Sequence, residues 1–134
     1  MAITTSTGAQ TQAIKNLPLC PKTPNCVSSQ AHDQEHFIAP FKIAVSADSA
    51  WNELTKVLQK QPRMVVRKAS RDSLEAEASS LIFRFVDDLN FILDTHAGII
   101  HIRSAARTGY SDLGVNRKRL ETIRGLLIQA GVIK

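Results

Sequence analysis

Met64-Val-Val-Arg-Lys-Ala-Ser-Arg-Asp-Ser-Leu-Glu-Ala-Glu-Ala-Ser79 decides the fold. Met64 to Ser70 reads as a strand. Arg71-Asp72-Ser73 carries turn chemistry. Leu74, Ala76 and Ala78 then alternate with Glu75 and Glu77. A period of two puts the apolar set on one face and the acids on the other. Leu74 to Ser79 therefore pairs back as an antiparallel strand with one wet face.

The chain on either side extends this hairpin. Downstream, Leu81 to Val86 reads as a strand interrupted by Asp87-Asp88, and Asn90 to Asp94 continues it. His96-Ala97-Gly98 turns, and Ile99 to Ala105 forms the last strand. Upstream, Trp51, Leu54, Val57 and Leu58 mark one face of a helix over Ser49 to Lys60, with N-caps in Ser46 to Asp48 and Pro62 ending it. Phe37 to Val45 alternates weakly and reads as a first strand, broken near Pro40. A final helix runs from Val115 to Ala130 on a stripe of Leu120, Ile123, Leu127 and Ile128, with Gly131 as its C′ glycine. The expected fold class is α+β: a single domain over 17–134, with an antiparallel sheet of about five strands and both helices on one face. By analogy of element order it is a Bet v 1-like helix-grip arrangement, which fixes no function.

A chain of 134 residues with 43% hydrophobic content suits one modest core. No apolar run reaches the roughly 18 residues that span a bilayer, so no transmembrane segment is expected. Residues 1–16 are small, polar and without period, and read as a disordered tail. They lack the basic and apolar regions of a secretory signal. A cytoplasmic protein is the expectation.

Residues 17–36 begin with three prolines, Pro18, Pro21 and Pro24, and read as an irregular lead-in. Cys20 and Cys26 fit neither a C-x2-C metal pair nor a redox C-x-x-C. A small disulfide loop is geometrically possible, with Pro21 and Pro24 helping it bend. In a reducing compartment two free thiols are the expectation.

Net charge is +5, and the part from His101 to Lys134 holds seven Lys/Arg against two acids, the whole excess. That bias favours an anionic ligand or a protein partner. It concentrates at Arg103-Ser-Ala-Ala-Arg-Thr-Gly-Tyr-Ser-Asp-Leu-Gly-Val-Asn-Arg-Lys-Arg119. There Arg103, Ser104, Arg107, Tyr110, Ser111, Asp112, Asn116, Arg117 and Arg119 are the candidate binding residues. Arg103, Arg107, Ser111 and Arg117 could hold an anion at the start of the last helix. The architectural alternative is that Arg103 and Arg107 pair with Asp87, Asp88 or Asp112 and staple sheet to helix.

Other chemistry is weaker. Asp87 and Asp88 are adjacent on a strand and point to opposite faces, so they are a poor acid/base pair. His32 and His36 stand four apart without an apolar helical context, so no metal is expected. His101 reads as a half-buried strand histidine. No nucleophile elbow, Walker loop or dinucleotide fingerprint occurs, and no cofactor is expected. One Trp, one Tyr and five Phe, most of them needed by the core, give no basis for specific nucleic-acid binding.

Cys20-Pro-Lys-Thr-Pro-Asn-Cys-Val-Ser-Ser29, Phe85-Val86-Asp87-Asp88 and the Arg103 to Arg119 segment together resemble the family catalogued as domain of unknown function 1499. The resemblance covers Leu17 to Arg124 and departs at Ala106, where a Ser is expected. It implies no reaction. It implies relatives in bacteria, cyanobacteria and plastid-bearing organisms, some of them membrane- or thylakoid-associated. Three functions rank in order: a non-enzymatic binding module using 103–119, a small-ligand or lipid carrier with a cavity between last helix and sheet, and an enzyme acting on an anionic substrate with Asp88 or Asp112 as base and the arginines as electrostatic clamp.

Overall fold

The structure is a computed structural model that describes residues 15–81 and 85–134. In chain order its elements are β1 (Cys26–Ser28), β2 (Phe41–Lys42), α1 (Ala47–Lys60), β3 (Met64–Ala69), β4 (Ser73–Ser79), β5 (Val86–Asp94), β6 (Ile99–Ala106) and α2 (Val115–Gln129). The strands form one sheet in the order β1-β6-β5-β4-β3, with β2 also on β6. Every pairing is antiparallel. The domain is α+β, as expected.

The alternation along β4 sorts the sheet into two faces. Leu74, Ala76 and Ala78 are buried, and so are Leu89 and Phe91 of β5 and Ile100 and Ile102 of β6. Onto this inner face pack Ala50, Trp51, Leu54, Val57 and Leu58 of α1 and Leu120, Ile123 and Leu127 of α2, in one core cluster. Each fully buried leucine there contributes about 2 kcal/mol. Phe41 stacks on Phe91 with centroids 6.4 Å apart, and the Arg124 guanidinium lies 5.0 Å from the Phe41 centroid.

The helix ends follow their local chemistry. Ser46 Oγ accepts from Ser49 N at 3.1 Å and caps α1. Trp51 Nε1 donates to Ser70 O at 3.0 Å, pinning α1 to the β3–β4 turn. At α2 the N-cap position is Gly114, with φ 81, and it offers no side-chain cap. Asp112 caps from two residues earlier, accepting from Gly114 N at 2.8 Å and Asn116 N at 3.2 Å. The buried stripe of α2 is Asn116, Leu120, Ile123 and Leu127. Ile128 is exposed, because it lies about 100° round the helix from Leu127.

Several expectations need correction. Asp87-Asp88 does not interrupt a strand: β5 runs through both, pairing with β4 and β6 on either side. The strand expected over Leu81 to Val86 falls largely at 82–84, and the tail expected over 1–16 largely at 1–14, outside the described residues; Lys15, at the end of that tail, pairs with Asp72 at 2.7 Å. Phe37 to Val45 yields the two-residue β2 and isolated bridges from Phe37 to Ser28 and from Ile43 to Ile133, broken at Pro40, which has no N–H to give a ladder.

The lead-in is more ordered than its prolines suggest. It contributes β1, which pairs Cys26 with Ala105 and Ser28 with Arg103. Cys20 and Cys26 are not free thiols. They form a disulfide with Cα atoms 5.7 Å apart. Cys26 is fixed and fully buried in β1. The Pro21–Pro24 bend carries Cys20 back over it, which brings both thiols within bonding reach.

Candidate functional site

Neighbouring residues of a strand point to opposite faces. The sequence cluster is therefore divided between two sites. Ser104 and Asp87 face the helices. Arg103 and Asp88 face outward, where the lead-in lies.

The inner site is a closed polar network. Ser104 Oγ donates to Asn116 Oδ1 at 2.5 Å, and both residues are fully buried. Arg119 Nη1 donates to the same Oδ1 at 3.0 Å and pairs with Asp87 Oδ2 at 2.8 Å. Asn116 Nδ2 donates to Asp112 Oδ2 at 2.7 Å and to Asn25 O at 3.4 Å. Asn25 Nδ2 in turn donates to Gly109 O at 2.9 Å. The network joins β5, β6, α2, the 107–114 loop and the lead-in. Burial works to raise the Asp112 carboxyl. The Asn116 amide and the backbone N–H groups of Gly114 and Asn116 outweigh it and hold Asp112 below its ordinary value. Asp112 is thus a carboxylate with its oxygens occupied, poorly suited to take a proton near neutral pH.

The outer site has an ion-paired wall. Arg107 grips Asp88 through Nη2 at 2.6 Å and Nε at 3.1 Å. Its Nη2 also reaches Glu77 Oε2 at 3.0 Å. Arg67 Nη2 meets the other Glu77 oxygen at 3.2 Å. The Arg107 guanidinium, then that of Arg67, holds the Glu77 carboxyl below its ordinary value. Of the pairings weighed from sequence, Arg107 with Asp88 is present.

Arg103 behaves differently. It is only 8% exposed, and its Nη2 donates to Leu19 O at 3.0 Å. Its Nε is buried without a hydrogen-bond partner. Burial pushes the guanidinium below its ordinary value, and the Asp88 charge acts the other way. Arg103 lines a pocket of about 350 Å³ together with Pro18, Arg67, Glu75, Glu77, Asp88 and Asn90.

Arg103, Arg107, Ser111 and Arg117 do not converge on one anion. Arg117 donates to Phe37 O at 2.8 Å and Glu35 O at 3.1 Å, tying α2 to the segment before β2. Arg124 does the same at Pro40 O, 3.1 Å away. Ser111 accepts from Leu113 N at 3.3 Å in an exposed turn. Tyr110 is 68% exposed and Leu113, at φ 54, is 92% exposed. Glu75, Glu77, Asn90, Asn25 and Arg67 are additions that the sequence reading did not single out. The Glu75/Glu77 alternation was a visible signal of them. The strand register that sets them opposite Asn90 and Asp88 was not.

Two histidines organise the lead-in. His36 is buried, with Nε2 2.8 Å from Thr23 O and Nδ1 2.6 Å from Asp33 Oδ2. A carbonyl and a carboxylate only accept, so both ring nitrogens carry protons. The Thr23 carbonyl, then Asp33, raises the pKa of His36 against its burial. Ligand atoms of Asp33, Glu35 and His36 lie within 4.8 Å of one another, but the ring nitrogens have no lone pair left for a metal. His101 Nδ1 lies 3.1 Å from Ser29 Oγ, which accepts from Ile102 N at 2.8 Å. Burial lowers the His101 pKa, so a neutral ring accepts the Ser29 hydroxyl.

Among the described residues no helix is long and apolar enough to cross a membrane. No curated protein and no solved structure matches the chain. The family model for a protein of unknown function, DUF1499, matches residues 16–127, which include all three segments that carried the resemblance. With most of its length accounted for by that match, the chain belongs to the DUF1499 family.

Proposed function

We propose that the protein is a non-enzymatic binding module whose 103–119 segment divides its work between the two faces of the sheet. Arg103 receives the anionic group of a small ligand in the outer pocket. Ser104, Asn116 and Arg119, with Asp87 and Asp112, hold the sheet, helix and lead-in that shape it. One observation carries this reading: a buried arginine with an unpartnered Nε lines an open pocket. Buried polar groups are nearly always satisfied, so a charge left partly unpaired in a pocket is a candidate functional position. The ion pairs of Arg107 support the pocket wall.

The test is calorimetric titration of the protein with small carboxylates and with inorganic phosphate, for the native chain and for Arg103→Met. Charge-assisted hydrogen bonds are worth about 1.5–3 kcal/mol, so the variant should bind at least about tenfold more weakly. Equal binding by both proteins would refute the assignment.

The carrier reading ranks second. The hollow between the start of α2 and the β3–β4 edge measures about 270 Å³ and is lined partly by Arg63, Lys118 and Arg119, a poor home for an apolar ligand. An enzyme ranks third, because Asp112 and Asp88 are both already engaged. A protein partner at the same end is favoured by exposed Tyr110, Leu113 and Val115 beside Lys118. Photo-crosslinking from position 110 in the host should lose its product in Leu113→Glu, and an unchanged product removes that reading.

A formed disulfide moves the expected compartment from the cytoplasm to an oxidising one. Alkylation of the protein as drawn from its host should find no reactive thiol. Two labelled cysteines would restore the cytoplasmic expectation.

A further inference from the structure

The charges around the outer pocket cancel. Arg67, Arg103 and Arg107 stand against Glu75, Glu77 and Asp88. Arg107 and Arg67 occupy Glu77 and Asp88 through the contacts described above. Glu75 and Asn90 make no side-chain hydrogen bond or ion pair among the described residues. Three groups without an ion-pair partner therefore remain in the pocket: Arg103, which keeps an unpartnered Nε, Asn90 and Glu75.

Register places these three in one row across the sheet. Asn90 pairs with Arg103 on β6 and with Glu75 on β4. Directly opposed residues share a face, so the row presents a cation, an amide and a carboxylate in that order. Two strand spacings, roughly 10 Å, separate the outer backbones, and both end residues line the pocket. Lys68, opposite Glu75 on the edge strand β3, forms no ion pair with it and does not line the pocket.

We infer that the pocket's ligand is a zwitterion, with a carboxylate on Arg103, a protonated amine on Glu75 and its polar middle against Asn90. The inference rests on the proposed anion-binding role of Arg103 and names the class of ligand. A dianion such as phosphate gains Arg103 but meets the unpaired Glu75 charge. A net-neutral ligand with separated ends matches both. The span suits a short ω-amino acid or a molecule carrying that group.

The experiment is calorimetric titration with ω-amino acids from glycine to 6-aminohexanoate, with the matching carboxylates without an amine, and with inorganic phosphate. The expected result is an optimum at intermediate length, at least about tenfold tighter than the matching carboxylate. Glu75→Gln should abolish that advantage while the plain carboxylate, freed of the Glu75 charge, binds at least as tightly as to the native protein. Glu75 is exposed, so this variant keeps the fold even where a change at Arg103 does not. If amino acids and plain carboxylates bind equally, the zwitterion is wrong and the anion site stands. If none of the probes binds the native protein, both readings fall.

Discussion

Arg103 and Asn116 are both buried polar residues, and their opposite circumstances make opposite predictions. Asn116 uses its amide oxygen for Ser104 and Arg119 and its amide nitrogen for Asp112 and Asn25. Asn116→Ala strips partners from several buried groups at once and should cost about 2–4 kcal/mol in urea unfolding. A loss below about 0.5 kcal/mol, the range of neutral surface changes, would mean that the network is not a staple. Arg103 instead keeps a buried charge with one carbonyl partner. A buried charge without a matching counter-charge carries a desolvation cost that an apolar side chain of similar length removes. Arg103→Met should therefore be at least as stable as the native protein, and a clear loss would make Arg103 structural. The histidines oppose each other in the same way. His36 is raised above its ordinary value of 6.5 by Thr23 and Asp33. Its contribution is complete below that value and is lost as pH rises through its folded pKa. His101 is lowered by burial, so protonating it costs stability as pH falls below 6.5. Melting temperatures between pH 8 and pH 5 should fall on acidification in His36→Gln and rise in His101→Gln. Parallel profiles in the two variants would contradict the ring contacts assigned here.

Most elements were legible because their periods are local. The alternation of β4 and the Trp51–Leu58 stripe each need only a few residues of context. What escaped was set by distant pairing. β1 has three residues and no period, and exists because β6 offers it an edge. β5 runs through Asp87-Asp88 because arginines on opposite faces take up the two charges, one from the turn after β6 and one from α2. The candidate site was half legible for the same reason. Composition marks Arg103 to Arg119, but only the register of β4, β5 and β6 selects Glu75 and Asn90 as neighbours of Arg103 and sends Arg117 elsewhere. The disulfide shows what the lead-in requires as an element. It closes a loop of sequence separation 6, for which chain entropy gives about 2 kcal/mol. Reduction by a dithiol should lower stability by that order. An unchanged melting temperature would show that β1 and the Asn25 contacts suffice without it.

At the scale of the molecule the sheet has two unequal covers. The inner face is sealed by α1 and α2 in one continuous core. Among the described residues the outer face is covered by the lead-in, which pairs with β6 and reaches the β3–β4 turn through Lys15 and Asp72. Helix cover depends on apolar burial spread over many residues. Lead-in cover depends on a few discrete ties to the sheet and the loop after it: the short β1–β6 ladder, Leu19 O on Arg103, Ser29 on His101 and Asn25 on Gly109. The disulfide and His36 on Thr23 hold the lead-in itself together. Local openings draw on the least apolar contact, so the two covers should not open together. Hydrogen exchange of the oxidised protein should find β5 and the inner turns of α1 slowest, because they lie at the centre of the sheet and core. After reduction, the amides that join β1 to β6, at Cys26 to Ser28 and Arg103 to Ala105, should exchange faster while α1 is unchanged. The pocket wall formed by Pro18 and the Leu19 carbonyl would loosen with them. The proposed zwitterion affinity should then fall on reduction without global unfolding. Acceleration spread evenly over α1, β5 and β1 would show instead that the lead-in is part of the same cooperative unit as the core.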